Sequence, residues 1–313
     1  MKTAFLFPGQ GAQVAGMGAD VAEAFPAAEE VFRRANDVVG FDLRKVCFEG
    51  PAEELNTTTM SQPAIFTTSA AILEVLRSHG ATSTIVPEVA AGLSLGEYTA
   101  LYAAGCISFE DGLRLVQKRG QAMQAAADAT DGSMVSIIGL DAEKVEQLCQ
   151  EAGQGELLKP VNFNCPGQIV VSGTVAACER ASQIAEKYGA MKAIKLDVAG
   201  AFHTEMMDSA AEALGQALAD TDVSSPSNTT VLANVSAEYY KDANQIRDGL
   251  VKQLTGAILW QKCMERLLAE GFDRFYEIGP GRVLTGLMKR INRKMKVINV
   301  SNAKAIADLA QAQ

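Results

Sequence analysis

The feature that most constrains the fold of this chain is the segment Gly92-Leu93-Ser94-Leu95-Gly96-Glu97, which has the pattern G-x-S-x-G. The apolar run at residues 85–91 has the composition of a short buried strand, and residues 97–104 have helical composition. A serine on a sharp strand-to-helix turn projects its Oγ above the sheet edge, and glycines on both sides let the chain bend. The N–H groups that open the next helix point toward an oxyanion formed beside that serine. The segment therefore favours a nucleophile at Ser94 over a purely structural turn.

The chain has only two histidines, which limits the choice of a base for this serine. A serine hydroxyl is a weak nucleophile and usually needs a neighbouring base. His79 directly precedes Gly80 at the end of an amphipathic pattern, where a histidine interacts favourably with the carbonyl end of a helix. His203 follows a strand-like run at residues 191–198, and catalytic groups collect in loops at strand ends. We therefore predict that His203 is the base and that His79 is structural.

Composition excludes several classes of protein. Hydrophobic residues make up 48% of the 313 residues and charged residues 21%, which is typical of a soluble globular enzyme. The first residues are broken by Pro8 and Gly9 too early for a signal peptide, and no apolar run approaches membrane-spanning length. The six cysteines form no C-x-x-C pair, so neither a metal site nor a redox motif is predicted. We expect a cytoplasmic protein with reduced thiols and no membrane partner.

The net charge of −9 argues against nucleic acid as a partner. An acidic protein partner would have to dock on a local basic patch, against the field of the whole molecule. The run at residues 289–296 (Lys-Arg-Ile-Asn-Arg-Lys-Met-Lys) is one candidate patch. Its alternative interpretation is a solvated helix face.

Strands and helices alternate along most of the chain, which predicts a mostly parallel sheet covered on both faces. Helices are expected at about residues 20–38 and from about residue 61, and a strand at 296–300 is expected to finish the fold. Residues 133–198 instead follow the order β-α-β-β-α-β of a ferredoxin-like unit. We therefore predict a large α/β domain formed by residues 1–128 and 199–313, with a ferredoxin-like subdomain at 129–198. The active site is expected in the cleft between them.

The glycine-rich segment Gly9-Gln10-Gly11 follows the first predicted strand. A dinucleotide-binding fingerprint G-x-G-x-x-G would need its third glycine where Val14 stands, so a nicotinamide site is rejected. The N–H groups of this segment are instead expected to approach the Ser94 turn as part of an oxyanion hole.

Seven segments resemble the malonyl-CoA:acyl carrier protein transacylases, the acyltransferase family of fatty acid and polyketide synthesis. They follow the order of that family and span almost the whole chain. They are Phe7-Pro8-Gly9-Gln10-Gly11, Ser61-Gln62-Pro63-Ala64, Gly92-Leu93-Ser94-Leu95-Gly96-Glu97-Tyr98, Lys118-Arg119-Gly120, Val161-Asn162-Phe163-Asn164, Ala201-Phe202-His203 and Tyr276-Glu277-Ile278-Gly279-Pro280-Gly281.

The resemblance implies an α/β-hydrolase-like large domain and a role for each matching residue. Ser94 would be the nucleophile and His203 the general base. The remaining expected roles are an oxyanion hole from the backbone N–H groups of Gln10 and Leu95, a carboxylate-binding Arg119, a histidine-orienting main-chain carbonyl at Gln253, and substrate contacts from Phe202, Gln62, Asn164 and Met123. Taken alone, Arg119 would pass for a surface helix charge and Gln253 for an exposed helix residue.

Two positions bear on acyl selectivity. The family usually has histidine where this chain has Leu93, so substrate fit or packing of the turn is expected to differ while the chemistry is kept. Phe202 resembles the form associated with malonyl rather than methylmalonyl selection, because a bulky ring fills the space of an α-methyl group. One methyl group is worth only about 1–3 kcal/mol of discrimination in such a pocket.

The implied reaction is transfer of malonyl from malonyl-CoA, through a serine-bound acyl-enzyme, to the phosphopantetheine thiol of acyl carrier protein. No cofactor is expected, since the coenzyme A thioester is the substrate and the carrier brings the phosphopantetheine. The carrier would be an acidic, transient partner of a monomeric enzyme. A discrete acyltransferase serving a polyketide or polyunsaturated lipid synthase is the main alternative. A serine thioesterase on the α/β-hydrolase fold is less favoured, because 110 residues with two apparent strands follow His203. The third alternative is a non-catalytic carrier-binding module.

Overall fold

A computed structural model describes residues 1–312. Its large domain is built on a five-stranded, fully parallel sheet with the strand order β7-β2-β1-β8-β9. The strands are β1 (Lys2–Phe7), β2 (Val89–Gly92), β7 (Thr230–Val231), β8 (Phe272–Ile278) and β9 (Val297–Val300). In β1 every residue from Thr3 to Phe7 is buried, as expected for a parallel strand covered by helices on both faces.

Helices cover this sheet on both sides. Seven precede the insert: α1 (Ala19–Ala24), α2 (Pro26–Val39), α3 (Leu43–Glu49), α4 (Ala52–Leu55), α5 (Thr58–Ser78), α6 (Gly96–Ala103) and α7 (Phe109–Asp128). Five follow it: α10 (Asp208–Ala219), α11 (Ala243–Thr255), α12 (Trp260–Ala269), α13 (Val283–Ile291) and α14 (Ala303–Gln311). No helix within residues 1–312 is both long and apolar enough to cross a membrane.

The insert forms a second, antiparallel sheet with the strand order β4-β5-β3-β6. Its elements are β3 (Gly132–Ile138), α8 (Ala142–Gly153), β4 (Leu158–Cys165), β5 (Gln168–Thr174), α9 (Val175–Ile184) and β6 (Lys192–Lys195). This β-α-β-β-α-β unit confirms the predicted fold class, a parallel α/β domain carrying a small ferredoxin-like subdomain. The residue boundaries proposed for the two parts stay a prediction, and the last of them, residue 313, lies outside the described residues.

Three local expectations were wrong. The single helix expected at residues 20–38 is two helices, because Pro26 starts a new one directly after the extended Phe25. The strand expected from residue 85 begins only at Val89, since Val86 is 64% exposed in the preceding connection. The chain also continues past β9 into α14, whose N-terminus is capped by the Asn302 side chain.

The insert is joined to the large domain by contacts with the α11–α12 connection and with α13. The N–H of Phe163 on β4 donates to the Ile258 carbonyl (2.9 Å), and the N–H of Ile258 donates to Val161 (2.7 Å). Arg290 on α13 donates to the carbonyls of Pro166 and Gly167 in the β4–β5 turn (3.3 and 3.2 Å). These contacts hold the subdomain beside the end of β2, where Ser94 lies.

Candidate active site

Ser94 lies on a strained turn between β2 and α6. Its φ of 50° is in the left-handed region, which costs a non-glycine residue on the order of 1–3 kcal/mol. A Cβ added to Gly92 would lie 1.9 Å from the carbonyl of Gly96, and one added to Gly96 would lie 2.1 Å from the Phe7 oxygen. Glycine is therefore required at both positions for the turn to close against β1. The strand, turn and helix expected around Ser94 are all present.

His203 lies within hydrogen-bond reach of this serine although 109 residues separate them. The Oγ of Ser94 is 3.1 Å from Nε2 of His203, and Nδ1 of His203 is 2.6 Å from the main-chain oxygen of Gln253. A carbonyl oxygen can only accept, so Nδ1 carries the proton and Nε2 presents a lone pair to the serine hydroxyl. The imidazole is thus in the tautomer that a general base requires.

Burial keeps the His203 imidazole neutral. Its pKa is lowered to about 4, first by desolvation and then by the nearby Arg119 charge, against a raising contribution from the Gln253 carbonyl. At neutral pH the ring can therefore accept a proton from Ser94. His203 also has a positive φ, 63°, so its backbone is held in a strained conformation like that of the serine.

Arg119 of α7 is fully buried beside the serine. Its guanidinium donates to Gln62 Oε1 (2.7 Å), Ser94 Oγ (3.0 Å) and Gln253 Oε1 (3.0 Å), all of them uncharged oxygens. Its Nε–H is buried and has no acceptor within residues 1–312. An unpaired buried donor costs about 1–3 kcal/mol, and desolvation lowers the pKa of Arg119. This side chain is therefore suited to receive a carboxylate.

A cavity of about 480 Å³ opens over Ser94, His203 and Arg119 between the two sheets. Among the other predicted site residues, Gln10, Met123, Asn164 and Phe202 line it. Gln62 is buried next to the lining residues and donates to the Met123 sulfur (3.4 Å). The structure therefore brings the predicted substrate contacts to one site.

The Gly9–Gly11 loop packs directly on the serine turn. A Cβ at Gly9 would lie 2.2 Å from the Leu93 oxygen, so this close approach requires glycine. Leu93, the position that departs from the family pattern, also lines the cavity. Leu95 is buried where α6 begins, next to Ser94 in the chain.

Sequence reasoning missed a buried polar cluster behind the serine. Asn234 accepts from the Ser94 N–H (2.7 Å) and donates to the Gly92 carbonyl (2.7 Å), which braces the turn. The carboxylate of Glu97 accepts from Tyr240 Oη (2.6 Å) and Gln253 Nε2 (2.6 Å). Burial raises the pKa of Glu97 to about 7, opposed by these hydrogen bonds. No sequence signal links residues that lie 137–156 positions apart.

Two features singled out in the sequence lie outside the cavity lining. His79 follows the C-terminus of α5, where its ring meets Phe25 edge-on with centroids 6.3 Å apart. In the basic run at 289–296, Arg290 also donates to Gln168 Oε1 (3.1 Å), so it joins α13 to the insert. Gln168 itself lines the cavity.

A serine turn, a neutral imidazole and a buried arginine around one cavity are suited to acyl transfer through serine. The model of the acyl transferase domain family matches residues 4–311. The chain belongs to that family and is an enzyme of the acyltransferase class.

Individual similar proteins indicate which group within this family the chain resembles. The malonyl CoA-acyl carrier protein transacylase of Bacillus subtilis (strain 168) is 44% identical over 306 residues, which is 97% of this chain and 95% of the relative. The structure of the enzyme of that name from Coxiella burnetii has a TM-score of 0.95 at 36% identity and covers 99% and 97% of the two chains. A malonyl-transacylase in complex with its type II PKS acyl-carrier protein has a TM-score of 0.95 at 40% identity, covering both chains fully. Within the acyl transferase family, the chain therefore groups with the malonyl CoA-acyl carrier protein transacylases.

Proposed function

We propose that this protein transfers a malonyl group from malonyl-CoA to the phosphopantetheine thiol of acyl carrier protein, through a malonyl ester on Ser94. The observation that carries the proposal is the hydrogen-bonded series Ser94 Oγ, His203 and the Gln253 carbonyl, with Arg119 beside the serine. The names of the most similar proteins favour malonyl-CoA as donor and acyl carrier protein as acceptor.

In the first half-reaction Ser94 Oγ attacks the thioester carbonyl while His203 Nε2 takes the hydroxyl proton. The backbone N–H groups of Gln10 and Leu95 hold the oxyanion, and each such donor is worth about 3–4 kcal/mol of barrier. The C–S bond then breaks, and the coenzyme A thiolate leaves and takes the proton from His203. Because an alkyl thiol has a pKa of about 8.5, it needs little acid assistance.

Arg119 holds the free carboxylate of the malonyl group during both half-reactions. A planar guanidinium contacts a carboxylate through two parallel hydrogen bonds, which fixes the acyl group in one orientation. Arg119 lines the cavity, and its three protein acceptors are uncharged oxygens, so the carboxylate would be its anionic partner. An uncharged acyl group would supply no such partner.

In the second half-reaction the phosphopantetheine thiol enters the cavity vacated by coenzyme A. His203 takes its proton as the sulfur attacks the malonyl ester, and the proton returns to Ser94 Oγ when the ester bond breaks. Both thiols react at the same serine, so the kinetics are ping-pong. Phe202 and Leu93 line the cavity and are the side chains expected to restrict the size of the acyl group.

Incubation with radioactive malonyl-CoA, followed by intact-mass analysis, tests the proposal. The wild-type protein should gain one malonyl group, and acyl carrier protein should then remove it. Ser94→Ala should gain none, whereas a labelled Ser94→Ala protein would refute the mechanism. Rapid release of free malonate without a thiol acceptor would instead identify a thioesterase. Binding of the carrier without an adduct would identify a non-catalytic module.

A second candidate differs only in the carrier. The similarity to a transacylase bound to a type II PKS acyl-carrier protein favours an enzyme that serves a polyketide synthase. The chemistry would be identical, so a comparison of transfer rates to fatty acid and polyketide carriers distinguishes the two.

A further inference from the structure

We propose that Glu97 is a positioning residue that orients the side-chain amide of Gln253 and, through it, the guanidinium of Arg119 for the carboxylate of the acyl group. This inference rests on the proposed function and assigns a role in acyl selectivity to a buried acid that the reaction itself does not use. Glu97 is completely buried, yet it contacts neither the serine hydroxyl nor the imidazole.

The Gln253 side chain joins Glu97 to the site. Its Nε2 donates to Glu97 Oε2 (2.6 Å) and to the main-chain oxygen of Ser94 (3.0 Å), and its Oε1 accepts from Arg119 (3.0 Å). Its main-chain oxygen accepts from His203. One glutamine therefore contacts the nucleophile, the base and the arginine.

The chemistry of the neighbours decides which way this amide faces. A carboxylate can only accept hydrogen bonds and a guanidinium can only donate, so the amide nitrogen must face Glu97 and the amide oxygen must face Arg119. With a neutral amide in place of Glu97, the partner could either donate or accept. Only Arg119 and the Ser94 carbonyl would then still favour the observed orientation of the Gln253 amide, and a turned amide would point two donors at each other on the Arg119 side. The ionised form of Glu97, which prevails above its pKa of about 7, excludes that arrangement because it can only accept.

The remaining contacts of Glu97 hold its carboxylate in place. Tyr240 Oη donates to Oε1 (2.6 Å), and the Asn234 N–H donates to Oε2 (3.3 Å), the oxygen that also accepts from Gln253. Tyr98, which follows Glu97 in the chain, lies below the Arg119 guanidinium, with its ring centroid 5.6 Å away. Arg119 is the cation that acts on Glu97, and its titratable neighbours are the phenols of Tyr240 and Tyr98 and the thiol of Cys263.

The selectivity between malonyl-CoA and acetyl-CoA in acylation of Ser94 tests this role. In Glu97→Gln, the ratio of the two acylation rates should fall about tenfold, the size of a coupling of about 1.4 kcal/mol, while acetyl transfer changes less than about threefold. Loss of folded protein lowers both rates equally and cancels in the ratio. Both variants are assayed at pH 9, above the Glu97 pKa of about 7. Tyr240→Phe is the matched control, because it removes a hydrogen bond from the same carboxylate but at this pH leaves its charge facing Gln253. Its ratio should stay within about twofold of wild type.

The remaining outcomes separate failure of this inference from failure of the proposed function. An unchanged ratio in Glu97→Gln, or an equal change in Tyr240→Phe, overturns the inference while leaving the proposed function intact. Absence of a malonyl adduct in the wild-type protein overturns the proposed function itself. Should Glu97→Gln fail to fold, as seen by circular dichroism, Gln253→Met takes its place, since it keeps the main-chain oxygen that holds His203. Its ratio should also fall, and an unchanged ratio would overturn the inference.

Discussion

The Nδ1 atom of His203 lies 2.6 Å from the main-chain oxygen of Gln253. The base is therefore oriented by a neutral carbonyl and not by a carboxylate. A carbonyl fixes the tautomer as an aspartate would, but it stabilises the imidazolium less. Burial and the Arg119 charge lower the pKa of His203, and the hydrogen bond to the carbonyl raises it too little to restore the ordinary value.

The first prediction concerns how the rate of Ser94 acylation depends on pH below neutrality. Because the pKa of His203 is about 4, the neutral base persists well below the ordinary histidine value of 6.5. Acylation by acetyl-CoA, measured by rapid quench after a pH jump, should stay constant from pH 8 to about 5 and decline near pH 4. In Arg119→Ala the decline should move to higher pH, since a repelling charge is removed. A wild-type midpoint near 6.5 would contradict the assignment.

The second prediction concerns the substrate carboxylate. Arg119→Ala removes the guanidinium that is expected to pair with it, so malonyl transfer should fall about 100-fold more than acetyl transfer, or about 2.7 kcal/mol. The measurement is kcat/KM with each donor. Equal losses would remove the assigned role, because Arg119 also donates to Ser94 and a general disturbance would affect both donors alike.

The third prediction concerns the size of the acyl group. Phe202 is buried and lines the cavity, so Phe202→Ala should create space beside the acyl chain. The preference for malonyl-CoA over methylmalonyl-CoA should fall at least about tenfold, within the range that one methyl group contributes. This preference is measured by competition between the two donors, with the two acyl-enzymes distinguished by intact-mass spectrometry. Thermal unfolding should be followed alongside, since loss of a buried ring costs about 3–5 kcal/mol.

The fourth prediction concerns the serine turn. In Gly92→Ala the new Cβ would lie 1.9 Å from backbone atoms of Gly96, so the protein should lose at least about 3 kcal/mol of unfolding free energy. Gly286→Ala in α13 is the matched control, because no atom lies within 4 Å of its added Cβ. There, helix propensity should make the protein more stable by about 0.5–1 kcal/mol. Urea titration of both variants measures the difference, and a similar effect in the two would refute the steric argument.

The fifth prediction concerns pH and stability. The pKa of Glu97 is about 7 in the folded protein against an ordinary 4.5, so the folded state binds its proton more tightly than the unfolded state does. Wild-type stability contributed by this group is present below pH 4.5 and is lost as pH rises through 7. The unfolding free energy of Glu97→Gln minus that of wild type should therefore rise by about 3 kcal/mol between pH 4.5 and 8. A difference independent of pH would place the folded pKa of Glu97 near its ordinary value.

Local patterns in the chain were sufficient for several elements of the site. The apolar run before Ser94, the glycines around it and the helical composition after it predicted the turn, because a strand-to-helix bend depends on neighbours in sequence. With only two histidines in the chain, His203 was the better candidate for the base. The change from strand–helix alternation to the order β-α-β-β-α-β after residue 132 predicted the antiparallel insert. The start of β2 was predicted wrongly, because Val86 is apolar in sequence but lies exposed in the connection before the strand.

The sequence by itself therefore determined the chemistry available to this protein: which residues can attack, accept a proton and bind a carboxylate, and on which kinds of element they stand. Only the tertiary structure decided how they are oriented. Hydrogen bonds that span 137–159 residues connect Ser94 and Gln253 with each other and with Asn234, Glu97 and Tyr240. Such contacts leave no periodicity in the chain, because they form only when the ends of separate strands and helices are packed together in a dry interior.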